Sequence, residues 1–230
     1  MGELALHTIG MGRREMIIGI PVYNDVDLFD VTGAHEVFKW ISDPAVEVRL
    51  IAASVEQPIV TRDGFRFLAT HNFQQVAALD VLWVPGGDLR ALAEMMSGRA
   101  GHEYMSFLAT IGARAKWVCS VCEGALLSAA AGLLDGYEAT THWKFIPCLR
   151  QFEKVTVVDG FPRYHLDRNR LTGGGISSAI DESLHLVRLL KGDDVARGIQ
   201  RTLQYFPEPP FPADLVVPPA CMFSWTKPAA

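Results

Sequence analysis

A chain of 230 residues, 49% hydrophobic and 20% charged, has the length and composition of one ordinary globular domain. Its net charge of -5, with Lys and Arg scattered rather than clustered, excludes the basic footprint of a nucleic-acid or anionic-membrane binder. No apolar run nears the ~18–20 residues of a membrane helix, and four cysteines are too few for a disulfide scaffold. With no secretory leader pattern at Met1, the expectation is a soluble cytoplasmic protein with reduced thiols.

Residues 1–15 are irregular in pattern and read as an N-terminal extension. Met16-Ile-Ile-Gly-Ile-Pro-Val has the short, all-apolar character of a buried strand. Asp30-Val-Thr-Gly33 then leads into a helical spacing from Ala34, and Val46–Ala52 is a second strand. Residues 57–68 predict a hairpin turning at Asp63-Gly64. Val81-Leu-Trp-Val is a third apolar strand, stopped by Pro85-Gly-Gly87, and helices follow around 89–96 and 104–113. Lys116–Val121 is the next strand, and a small-residue helix runs from Gly124 to Leu134. After mixed structure, Leu171-Thr-Gly-Gly-Gly opens a long helix over 178–190; a last helix spans 193–204, and a proline-rich tail begins at Pro207. Strands alternating with helices predict one α/β domain over 16–206, a mostly parallel central sheet with helices on both faces.

In such a sheet, ligands bind at the carboxyl ends of the strands. Three segments place small or polar groups there: Asp30-Val-Thr-Gly33, Pro85-Gly-Gly87 and Ser120-Val-Cys-Glu-Gly124. The last, an apolar strand running through a tight turn into a helix, is the pattern of a nucleophile elbow at Cys122. A thiol beside a helix N-terminus is expected to have a lowered pKa. Asp30 is either a plain helix N-cap or the holder of a proton shared with the sulfur. Gly86, Gly87 and the Glu123 backbone are candidate N–H donors for a developing anion. Cys119 and Cys122 have Cys-x-x-Cys spacing, but Cys119 lies within the strand and no second ligand pair exists, so a zinc or dithiol reading is rejected. Cys148 and Cys221 read as structural cysteines.

Together these segments, with Trp83-Val-Pro-Gly-Gly, Ala139-Thr-Thr-His-Trp, Leu171-Thr-Gly-Gly-Gly-Ile and Leu203-Gln-Tyr-Phe-Pro-Glu-Pro-Pro-Phe, resemble the DJ-1/PfpI (ThiJ) superfamily over roughly residues 16–212. The Thr-Thr-His-Trp and Tyr-x-Pro-x-Pro-Pro-Phe segments favour the branch of the bacterial isocyanide hydratases. The resemblance implies the flavodoxin-like, glutamine-amidotransferase-like DJ-1 fold and a cofactor-free, metal-free homodimer. It implies a lyase with Cys122 as nucleophile and Asp30 as acid and base, hydrating an isocyanide to an N-substituted formamide, and it places Thr141, His142 and Thr172 near the pocket. The sequence departs from the hydratases at Glu123, where they carry Thr. An ionised Glu123 facing Cys122 would disfavour thiolate. Glyoxalase or deglycase chemistry on reactive carbonyls, and a non-enzymatic redox or ligand sensor, are the alternatives.

Overall fold

The computed structural model describes residues 16–225; the predicted N-terminal extension lies outside the described residues. In chain order the elements begin with β1 (Met16–Pro21), α1 (Leu28–Lys39) and β2 (Val46–Ala52), then the hairpin strands β3 (Ile59–Val60) and β4 (Arg66–Phe67) and the short β5 (His71–Asn72). They continue with β6 (Val81–Val84), α2 (Leu89–Met96), α3 (His102–Gly112), β7 (Trp117–Ser120), α4 (Gly124–Ala130) and β8 (Glu138–Ala139). The chain then forms α5 (Ile146–Leu149), β9 (Thr156–Val157), β10 (Tyr164–Asp167), β11 (Arg170–Gly173), α6 (Ser178–Lys191) and α7 (Asp193–Thr202).

Seven strands form one sheet in the order β10-β11-β7-β6-β1-β2-β5. Every pairing in it is parallel except β10 with β11. Helices α1, α6 and α7 pack together as one group and α2, α3 and α4 as another. All four residues of β6 are buried, as a strand covered on both faces requires. From β1 the chain steps outward to β2, then returns to β6 and β7 on the other side. This reversal sets the carboxyl ends of β1, β6 and β7 side by side, the place where an open α/β sheet leaves a crevice.

The local chemistry of the sequence accounts for most boundaries. Asp27 caps α1 by accepting from the Phe29 N–H at 3.2 Å, and its carboxylate pairs with Arg62 at 2.9 Å. Asp30 is therefore not the cap but sits in the first helical turn. The small-residue helix ends at Ala130 rather than at Leu134, because the next residue but one, Gly132, turns left-handed at φ 76°. Leu171-Thr-Gly does not open the following helix; it is strand β11, and the turn to α6 comes after it.

Cys148 and Cys221 are not reduced thiols but are joined in a disulfide that ties the tail to α5. The cysteine count argued against a scaffold of bridges and carried no information about one bridge between residues 73 apart. Beyond it, Phe223 meets Phe145 edge-on at 6.1 Å and Trp225 stacks on Phe152 at 5.5 Å. Among the described residues no helix is long and apolar enough to cross a membrane.

Candidate active site

Cys122 lies two residues past the end of β7 and has φ 56°, a left-handed backbone unusual for a residue with a side chain. Neighbouring segments over-determine that conformation. The Val121 N–H donates to Val84 O at 3.1 Å, the Cys122 N–H to Gly174 O at 2.9 Å, and the Thr141 hydroxyl to Cys122 O at 2.7 Å. Gly124 opens α4 directly over β6, where an added Cβ would overlap the Val84 carbonyl oxygen. This is the geometry of a nucleophile elbow.

Asp30 reaches the elbow from β1 and α1. The Gly86 N–H donates to its Oδ2 at 2.8 Å, and the Trp83 indole N–H holds its backbone carbonyl at 3.0 Å. Glu123 turns its carboxyl back towards the sulfur and accepts from the Cys122 thiol. The Sγ and one carboxyl oxygen each of Asp30 and Glu123 lie within 4.8 Å of one another. All three residues are buried; Cys122 is 1% exposed. The Ile176 N–H, just before α6, completes the surroundings of the sulfur by donating to it.

Burial governs the electrostatics. It pushes the Cys122 thiol well above its ordinary pKa, and the adjacent Asp30 and Glu123 carboxyls push it further. The expected lowering by the helix N-terminus is overridden: α4 is only seven residues long, and two acidic groups face the sulfur. Desolvation likewise raises Asp30 well above the carboxylate range, with Asp27 and Glu123 adding to it. Glu123 is raised by burial, while its contacts with the thiol and its own backbone N–H pull it down. Burial thus favours the protonated form at both carboxyls. A divalent cation would need both carboxyls charged, and the same burial opposes that state.

The remaining predicted residues fall around this centre. The Gly86 N–H is directed at Asp30, and the Glu123 N–H at its own carboxyl. Gly87 faces the 25–26 loop, where an added Cβ would lie 2.8 Å from the Tyr23 hydroxyl. Thr172 is fully buried in β11, and its hydroxyl accepts from the Thr140 N–H at 2.9 Å. Thr141 and His142 line a cavity of about 720 Å³ together with Phe29, Trp143, Gly175 and Ile176. The His142 Nδ1 accepts from the Lys144 N–H at 3.2 Å, and burial followed by Lys144 lowers its pKa to about 4. The ring is neutral at pH 7 with its proton on Nε2, so Nδ1 is not a base for the reaction. Sequence reasoning missed Ile176 and Tyr23. The first acts through its backbone, which has no sequence signature; the second is a buried tyrosine whose pKa rises through burial and proximity to Tyr104 and this acidic centre.

Glu182 in α6 is a further buried acid that sequence patterning did not reveal. Its carboxyl lies against Gly173, where an added Cβ would overlap it, and desolvation and Asp30 raise its pKa well above the ordinary value. The folded protein therefore keeps this proton at a pH where the unfolded chain, with a pKa near ~4.3, releases it. The group's contribution to stability is full below that unfolded value and is lost as pH rises towards the folded pKa, at a rate on the order of 1 kcal/mol per pH unit. Glu182→Gln removes the titration. The melting temperature of the variant minus that of the parent is expected to grow by several degrees between pH 5 and pH 7. A difference independent of pH would show that Glu182 is ionised in the fold.

The fold and the elbow define an α/β protein of the thiol-elbow class, with a cysteine set above the carboxyl ends of a parallel sheet. The chain matches the DJ-1/PfpI family over residues 16–189 and belongs to it. The isonitrile hydratase of Pseudomonas putida is 36% identical over 194 residues, which cover 84% of this chain and 80% of that protein. The transcriptional regulator GbdR of Pseudomonas aeruginosa is 30% identical over 144 residues, but they make up only 37% of the regulator. A ThiJ/PfpI family protein from Pseudomonas syringae superposes with a TM-score of 0.78 at 31% identity, covering 93% of this chain and 85% of that one. Drosophila melanogaster DJ-1beta shares the fold, with a TM-score of 0.67 at 16% identity over 83% of this chain and 98% of its own.

Proposed function

We propose that this protein is an isocyanide hydratase or a close variant, working through covalent catalysis at Cys122. The observation that carries the reading is the buried cluster of one thiol and two carboxyls at the elbow, in a chain 36% identical to an isonitrile hydratase. Such a site supplies a nucleophile, a proton donor and a proton acceptor within reach of one small electrophile.

The proton balance follows from the two carboxyls. Glu123 takes the thiol proton as the sulfur attacks the terminal carbon of the isocyanide, and Asp30 gives its own proton to that carbon. The product is a thioimidate on Cys122. Water then adds: its hydroxyl goes to the carbon, its proton to Asp30, and the Glu123 proton to nitrogen. Collapse breaks the carbon–sulfur bond and passes the hydroxyl proton through Glu123 to the leaving thiolate, which releases the N-substituted formamide. Every group ends as it began, and no cofactor enters. Glu123, which replaces the Thr of the hydratases, acts here as acceptor of the thiol proton.

A redox sensor is disfavoured by the same geometry, because sensing cysteines are exposed and acidic whereas this thiol is buried and pushed up. The working form is a homodimer, which light scattering would report at twice the 25.3 kDa chain mass. The deciding experiment incubates the wild-type protein with several alkyl and aryl isocyanides. It should yield the formamide and, on acid quench, a mass increase on the Cys122 peptide equal to the isocyanide. Neither product nor adduct across the series would sink the assignment and bring carbonyl electrophiles forward.

A further inference from the structure

The cavity beside Cys122 is not closed by the α/β domain alone. Ala213 and Leu215, from the tail beyond α7, stand in its wall with Phe29, Trp143, Phe161 and Ile176. Both tail residues lie past the stretch that matches the family, which ends at residue 189. Cys122, Asp30 and Glu123 do not themselves line the cavity, but three of its lining residues touch the nucleophile: Thr141 and Gly174 bond the Cys122 backbone, and the Ile176 N–H meets the sulfur. Charge on the walls is compensated. Arg163 is directed at Asp181 at 2.9 Å, and His142 is neutral. Phe29 and Phe161, 40% and 41% exposed, are large aromatic surfaces at this cavity.

The tail is held in place by the Cys148–Cys221 bridge and by the Phe145–Phe223 and Phe152–Trp225 ring contacts. Without an anchor, a segment with no helix or strand of its own would not keep a fixed wall against its chain entropy.

We propose that residues 207–225 are a strap that completes the substrate cavity, with Ala213 and Leu215 selecting a bulky apolar substituent and the Cys148–Cys221 disulfide positioning them. The inference rests on reading Cys122 as the reacting group for small electrophiles. A dithiol reductant undoes the arrangement by thiol–disulfide exchange. Its two thiols become a cyclic disulfide, and their two electrons and two protons leave Cys148 and Cys221 as thiols. About 720 Å³ suits a cycloalkyl or aryl group, while a methyl group would leave most of the cavity to water.

Two readouts separate this inference from the hydratase reading. The first is the ratio of kcat/KM for benzyl isocyanide over methyl isocyanide. The second is the ratio of Cys122 alkylation rates by N-benzylmaleimide over N-methylmaleimide, followed on the Cys122 peptide by mass. Leu215→Trp, which fills the cavity, is expected to lower both ratios at least ~10-fold, mainly through KM in the first. Cys221→Ser, and the parent protein treated with dithiothreitol, are expected to lower both about threefold or more, again through KM with the kcat for methyl isocyanide little altered. Alkylation ratios that stay constant or rise in all three would overturn the strap, whether or not isocyanides turn over. Alkylation ratios that fall while no isocyanide reacts would keep the strap and reject the hydratase.

Discussion

Cys122→Ala is expected to lower kcat/KM for an isocyanide by at least about 10⁴-fold, and Asp30→Asn by about 10²–10⁴-fold, with the double variant little worse than Cys122→Ala alone. The reasoning is the geometry of the buried cluster. The sulfur is the strongest nucleophile of the three clustered groups, and a carboxylate is a poor replacement when it is removed. Burial raises the Asp30 pKa and the Gly86 N–H aims its carboxyl at 2.8 Å, which suits the group to give a proton. Asn keeps the shape and the bond from Gly86 but can neither give a proton to carbon nor take one from water. Glu123→Gln removes the acceptor of the thiol proton and is expected to fall between the two. Because that acceptor must be ionised, activity should rise with pH through the elevated Glu123 pKa and fall again as Asp30 loses its proton. Single-turnover kinetics with acid quench separate the steps. Asp30→Asn should slow the appearance of the Cys122 adduct, since the proton it supplies goes to carbon in that step. A normal adduct rate in Asp30→Asn would move the acid to Glu123.

Much of this arrangement was legible in the sequence because strands buried on both faces write themselves as short apolar runs. β1, β6 and β7 are legible that way, and the turn residues after β6 and β7 point to the crevice. What patterning could not reach depended on long-range packing. β10 and β11 have mixed composition, and β11 is a sheet strand through its pairing with β7 on one side and β10 on the other. The upward shift of the Cys122 pKa has no local signature, because a helix N-terminus is visible in sequence while the summed desolvation of thiol, Asp30 and Glu123 is not. The separation of Asp27 as cap from Asp30 as buried acid turns on three residues of helix start, within the usual uncertainty of such boundaries. Glu182 and the bridge from Cys148 to Cys221 belong to the same class: each joins segments whose proximity no local pattern encodes.

The elbow also makes a prediction about stability, at Gly124. An alanine there places its methyl group into the Val84 carbonyl oxygen, 2.8 Å from the carbonyl carbon and 3.0 Å from that of Pro85. These are backbone atoms of the central strand and its terminus, so no side chain can swing aside. Relief requires α4 to lift from β6, which breaks the Val121–Val84 hydrogen bond and moves Cys122. Overpacking against backbone, with a lost buried hydrogen bond, is expected to cost about 3–5 kcal/mol, or roughly 6–20 °C in melting temperature for a domain of this size. Two other glycines calibrate the cause. Gly132 has φ 76° and open space around it, so Gly132→Ala carries only the left-handed strain of about 1–2 kcal/mol. Gly198 lies inside α7 with nothing near its absent side chain, so Gly198→Ala should stabilise by about 0.5–1 kcal/mol. Thermal unfolding of the three variants should rank them Gly198→Ala, Gly132→Ala, Gly124→Ala from most to least stable, with the proposed isocyanide turnover lost at Gly124 alone. A Gly124→Ala protein that melts with the parent would mean that α4 does not press on β6, and that the left-handed turn at Cys122 is held by the Gly174 and Thr141 hydrogen bonds instead.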